Sequence, residues 1–201
     1  MDIKFVLDEF RRNAVSLPTS IQDMVAETIA RAYQAAIESL PPNERPADII
    51  DFYRNDPRGK ELRQRVLNTP VPASFAKINF EPHKNMTIGA GRWSVPAPER
   101  AVRQLTEGVD LLRKATTLGE AQDILIRSTF PFISGFVKAR AGREGGVDAM
   151  EILQESVIGV MDALPGYNPE AARKAGRKAA TFEHYAGQSG AEAAAQADDA
   201  E

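Results

Sequence analysis

The chain reads as mainly α-helical, and three observations predict this. Apolar residues recur at helical rather than alternating spacing over most of the length. Proline and glycine gather between those periodic stretches, where they punctuate. One segment, Asn68 to Pro98, breaks the texture with Pro70, Pro72, Pro82, Pro96, Gly89 and Gly91, leaving room only for short extended pieces. The expected organisation is an N-terminal helical module over 1–69, a Pro/Gly-rich connector over 70–97, a second helical module over 98–186 and a disordered acidic tail over 187–201.

Ile3, Val6, Leu7 and Phe10 share one face of a first helix ending near Arg12. After Leu17-Pro18, the Thr19-Ser20 pair is placed to cap a second helix, whose apolar face runs from Ile21 through Val25, Ile29 and Ala36 to Ile37 before Pro41-Pro42 stop it. A third helix, from near Pro46 to Asn55, carries Ile49, Ile50, Phe52 and Tyr53. A fourth spans Pro57 to Leu67, and its basic face of Arg58, Lys60, Arg63 and Arg65, interrupted by Glu61, reads as solvated surface rather than a DNA site. In the connector, Phe75 to Phe80 and Thr87-Ile88 have strand character, so a small hairpin is expected. Gly89 to Trp93 lacks the spacing, the lysine and the strand-to-helix context of a phosphate loop and reads as a turn, with Trp93 a packing anchor.

Pro98 suits the first turn of the next helix, which turns Val102, Leu105, Val109, Leu111 and Leu112 inward. Leu118-Gly119 breaks it, Glu120 to Arg127 begins another, and Pro131 interrupts or restarts that one. Phe132, Ile133, Phe136 and Val137 then form an apolar stripe of the kind that is usually core. Arg140 to Gly146 is a glycine-rich link, and the residues after Ala186 offer no large apolar anchor and only acidic charge.

Glu151 to Ala186 is the most specific stretch. Asp148 and Glu151 have the spacing of a capping box, and Pro165-Gly166 ends the helix they start. At roughly 100° per residue, Ile152, Leu153, Val157, Val160, Ala163 and Leu164 share the core face. Glu151, Gln154, Glu155 and Asp162 take the opposite arc, with Ile158 among them and Met161 on the edge. One reading is a solvated face with a single stray apolar residue. The other is an interaction surface whose apolar centre, Ile158 and Met161, is ringed by groups that suit a basic partner.

These residues carry a resemblance. EILQESVIGVMDALPGYNP followed by FEHYA is similar to region two of the sigma-70 family of bacterial transcription initiation factors, whose pattern is DLIQEGxIGLxxAxxxFDPxxGxxFSTYA. The similarity reaches upstream through LLRKATTLGEAQDILIRSTFPFISGFVKARAG and covers the chain from near Pro98 to Ala186. It implies a sigma-region-two-like helical module that docks on a coiled coil of the largest subunit of the RNA polymerase core, through positions matching Glu151, Gln154, Glu155, Val157 and Met161, with Ile158 between them. It also implies that Tyr185 matches an aromatic residue that helps open promoter DNA, and Phe182 its structural neighbour. The chain departs from the family where paired tryptophans and basic residues read the promoter: it continues as GQSGAEAAAQADDAE. Positive charge near Tyr185 comes instead from Arg173, Lys174, Arg177 and Lys178, sufficient for weak contact with DNA phosphates.

Composition bounds the function. A length of 201 residues with 43% hydrophobic residues can bury one substantial core or two small ones. Without cysteine there is neither disulfide nor thiolate metal site, and with His83 and His184 as the only histidines no histidine-rich metal centre or cofactor is expected. No apolar run is long enough to span a bilayer, the first residues do not look like a signal, and a cytoplasmic, non-membrane protein is expected. The net charge of -3 argues against wholesale wrapping of nucleic acid. The expected function is a non-enzymatic sigma-like factor that binds the polymerase core and modulates or directs initiation. The alternative is a helical structural or adaptor protein, for instance of a virus particle. A hydrolase or transferase built on His83 or His184 has no companion constellation and ranks last.

Overall fold

The architecture follows from where the chain can start a helix and where it must stop one. The computed structural model describes residues 3–82, 87–88, 95–141, 149–170 and 181–198, and among these it has nine α-helices. They are α1 (Ile3–Arg12), α2 (Thr19–Glu38), α3 (Ile49–Asn55), α4 (Pro57–Leu67), α5 (Glu99–Lys114), α6 (Leu118–Ser128), α7 (Phe130–Ala141), α8 (Ala149–Ala163) and α9 (Phe182–Asp198). The fold is mainly α, as expected. A small antiparallel hairpin joins β1 (Thr87–Ile88) to β2 (Val95–Pro96), with Ile88 opposite Val95. Phe75–Lys77, expected to be extended, is instead a 3-10 turn that rests on α5.

Short acceptor side chains fix several starts. Asp48 accepts from the amides of Ile50 and Asp51 at 2.9 and 3.0 Å and begins α3. Asp56 accepts from Arg58 N at 2.8 Å, and Pro57, which lacks the amide that would go unpaired, begins α4. Thr117 takes the Glu120 amide at 3.2 Å while Glu120 reaches back to Thr116 N at 2.6 Å, so α6 starts at Leu118 rather than at Glu120. The start of α2 differs from expectation. Pro18 is its N-cap, and Thr19, already the first helical residue, makes no side-chain cap. Pro131 sits in the first turn of α7, where a missing amide costs nothing, so it restarts the helix.

The 1–69 and 98–186 division does not survive packing. Helix α2 buries Ile21, Val25, Ala26, Ile29, Ala30, Tyr33 and Ile37, which together cover more than one stripe of its surface. It therefore touches α4, α6, α9 and the Leu164–Gly166 turn at once, and one apolar cluster joins residues from both sides of the connector. Two further corrections concern inward faces. Leu111 is exposed and Val102 and Leu105 are half-buried, because α5 packs only through the side bearing Gly108, Val109 and Leu112. Phe132 is exposed on α7 while Ile133 and Val137 are buried.

The largest departure is the tail, expected to be disordered from Gly187 and found helical to Asp198. Thr181 accepts from His184 N at 3.3 Å, and Asp23 of α2 accepts from Phe182 N at 2.7 Å, so two free amides of α9 are satisfied at its start. Phe182, Ala186, Gly190 and Ala193 then recur on one face of α9, and small side chains let that face approach α8 closely. A Cβ at Gly159 would lie 2.7 Å from Ser189 O and 2.8 Å from Ala193 Cβ, and one at Gly190 would lie 3.0 Å from Ser156 O. The hydroxyls in this seam are paired within their own helices, Ser156 Oγ to Ile152 O at 2.7 Å and Ser189 Oγ to Tyr185 O at 3.1 Å. Anchoring comes from backbone proximity rather than from large apolar side chains.

Gly159→Val should force the two helices apart and cost about 2 kcal/mol or more of stability. Thermal unfolding reads the loss, and hydrogen exchange should localise it to 186–198. An unchanged midpoint with α9 amides still protected would show that the seam does not hold this helix.

Candidate docking surface

Helix α8 is packed on two flanks and open on a third. Ile152, Leu153, Val160 and Ala163 are buried, Ser156 and Gly159 face α9, and α7 lies along the other side. Glu151, Gln154 and Ile158 are exposed, Ile158 to 40%, and Glu155, Val157 and Met161 are half-buried. The six residues thus form one strip, with Val157 and Met161 packed in part against the core. Among the described residues, Glu151 and Glu155 make no ion pair.

Asp162 leaves that strip. On the helical wheel it belongs to the outer arc, yet α3 and α4 arch over the last turn of α8 and bury it. Its carboxylate accepts from Arg54 Nε at 2.7 Å and from Arg63 Nη1 at 3.3 Å, and the Arg63 side chain retains only 16% of its exposure. The basic face of α4 is accordingly not plain solvated surface: Arg63 is a structural cation. Burial raises the pKa of the Tyr33 phenol beside this cluster, an effect that the Arg63 guanidinium opposes. Tyr33 Oη donates to Gln122 at 3.1 Å and Tyr53 Oη to Tyr33 O at 2.9 Å, whereas Arg63 Nη2 is buried with no hydrogen-bond partner among the described residues.

Between α4 and α8 runs an open groove of about 410 Å³, with Ile158 and Met161 on one wall, Lys60 and Gln64 on the other, and Tyr53 and Arg54 at its end. Lys60 and Gln64 were not legible as site residues. Their place opposite α8 is set by residues distant in sequence, and no spacing within α4 announces it.

Tyr185 also meets the C-terminal end of α8, from the start of α9. Its hydroxyl donates to Ala163 O at 3.1 Å, and its half-buried ring lies 5.4 Å from that of Tyr167, which also meets Phe182 edge-on at 5.5 Å. Phe182 is fully buried. Arg173, Lys174, Arg177 and Lys178 lie outside the described residues, as do Asp148, His83 and Gly89 to Trp93. Among the described residues no group of three His, Asp or Glu side chains is placed to hold a metal, and no helix is long and apolar enough to cross a membrane. No family model, curated protein or solved structure matches the chain.

Asp162→Ala should cost about 3 kcal/mol in denaturant unfolding, because it strands the Arg63 guanidinium in a poorly solvated site. Combining Asp162→Leu with Arg63→Met should recover most of that loss, since an apolar pair carries no desolvation penalty. If Asp162→Ala were as stable as the parent protein, the ion cluster would not be what holds α3 and α4 to α8.

Proposed function

We propose that this protein is a sigma-like factor that docks on the RNA polymerase core through the outer face of α8 and modulates initiation. The observation that carries the reading is the placement of α8. Its flanks are consumed by α7 and α9 and its last turn by α3 and α4, while Glu151, Gln154, Glu155 and Ile158 remain open. Of the positions that the resemblance to sigma region two assigns to the polymerase contact, Glu151, Gln154 and Glu155 are in this open set, and Val157 and Met161 are half-buried beside it. An exposed β-branched residue beside carboxylates that make no ion pair among the described residues also has the composition of a binding patch with a polar rim.

The same reading favours modulation over promoter reading. Stacking of unpaired bases needs free aromatic faces beside basic residues. Here Tyr185 spends its hydroxyl on the end of α8 and packs its ring on Tyr167. The helix that continues from it exposes Glu183, His184 and Gln188 and packs through alanine and glycine. In transcription assays the protein should compete with a complete sigma factor for the core, or act beside another DNA-reading protein.

Binding to purified bacterial core polymerase is the direct test. Glu155→Arg reverses one charge on the strip and should weaken the complex by on the order of 2 kcal/mol with an unchanged helical spectrum. Leu153→Ala is the contrasting variant: it empties a core position and should cost about 2 to 5 kcal/mol of folding stability. Equal affinity of parent and Glu155→Arg would remove the strip from the interface. On DNA, the protein alone should show no preference for a promoter element over scrambled sequence, with any weak binding fading between low and physiological salt. Salt-resistant, sequence-specific promoter opening by this chain and core polymerase alone would contradict the modulating role.

A further inference from the structure

The groove between α4 and α8 extends the proposed interface beyond the residues that the sigma resemblance supplies. The cations of α3 and α4 differ in what holds them. Arg54 and Arg63 bind Asp162, Arg58 binds Asp56 at 3.1 Å, and Arg65 lies 3.7 Å from Glu61. Among the described residues Lys60 alone of this group has no carboxylate, and it stands exposed on the wall facing Ile158 and Met161. Outside the groove, on the turns of α8 that precede Ile158, the charges without an ion pair among the described residues have the opposite sign, Glu151 and Glu155. The surface is therefore bipolar: carboxylates on the earlier turns of α8, an apolar patch at Ile158 and Met161, and an ammonium on the wall that faces that patch.

From this charge order we infer that the occupant of the groove is a helical segment of the partner whose contacting face carries a basic residue, then an apolar one, then an acidic one. The basic residue meets Glu151 and Glu155, the apolar one settles on Ile158 and Met161, and the acidic one meets Lys60. Glu151 and Ile158 are two helical turns apart, roughly 10 Å at the helical rise, so a partner helix presents matching groups about one heptad apart. A uniformly basic partner would satisfy the carboxylates but would be repelled by Lys60, with Arg54 behind it. A uniformly acidic one would fail at the other end. The inference rests on the reading of the core polymerase as partner, and it gives the N-terminal helices a part in docking.

The test uses the full chain and purified bacterial core polymerase, with affinity measured for Lys60→Glu, Lys60→Arg and Glu155→Arg. Lys60 is exposed and makes no ion pair among the described residues, so thermal midpoints should not move. The expected result is a loss of about tenfold for Lys60→Glu, retention for Lys60→Arg, and a separate loss for Glu155→Arg. Parent-like binding by Lys60→Glu together with weakened binding by Glu155→Arg would overturn the bipolar groove and leave the sigma-like reading standing. Absence of binding by the parent protein would overturn both. Tighter binding by Lys60→Glu would reverse the sign of the partner charge inferred here.

Discussion

Two arginines on one carboxylate determine which part of α8 the solvent sees. Asp162 lies close to the middle of the outer arc by sequence, and without Arg54 and Arg63 above it the arc would run as one acidic stripe to the end of the helix. The ion cluster pulls α3 and α4 across the last turn instead. A partly buried ion pair of this kind adds little net stability compared with an apolar replacement, yet breaking it from one side is costly. That asymmetry makes it a device for register. It holds the short α3–α4 unit, remote in sequence, at one place on α8. The same placement creates the groove, since Lys60 lies one turn before Arg63 on α4 and Gln64 directly after it.

A second constraint works at the opposite flank. Beyond Phe182 and Tyr185 in its first turn, helix α9 has little side-chain bulk to bury, so from Ala186 onward close approach to α8 is its main source of contact energy. The two capped amides at its start, one bonded to Thr181 and one to Asp23 of α2, fix where that approach begins. With α7 on one side, α9 on another and the arginine clamp at the end, α8 has little freedom to present anything but Glu151, Gln154, Glu155 and Ile158. Pre-organisation of this sort lowers the ordering cost of association, which suits a surface of modest size.

Much of this was legible in the residues. Helix α4, with its acidic cap and first-turn proline, has the expected position because local periodicity and local hydrogen bonding agree, and α3 ends where expected but begins at Ile49, where Asp48 caps it. The outer strip of α8 was equally legible, since it needs only the helical repeat. Local pattern could not supply what depends on distant partners. Asp162 was sorted with the solvated carboxylates because its arginines lie far away in sequence. Leu111 was sorted with the core because nothing in α5 says that only one of its sides is covered. The α9 seam was missed because large apolar anchors were sought, whereas the signal was the recurrence of Phe182, Ala186, Gly190 and Ala193 at helical spacing. Small residues are ambiguous in this respect: the same alanines and glycines serve a close helix crossing or a chain that never folds.

The central claim is that the open strip of α8 faces the largest subunit of RNA polymerase. A photo-reactive side chain placed at Ile158, with a second placed at Leu111 as an exposed apolar position on α5, tests it most directly. After irradiation with core polymerase, the probe at Ile158 should join this chain to the largest subunit, and the probe at Leu111 should leave it unlinked. Efficient binding without a crosslink from Ile158, or a crosslink of equal yield from Leu111, would contradict the assignment of this face.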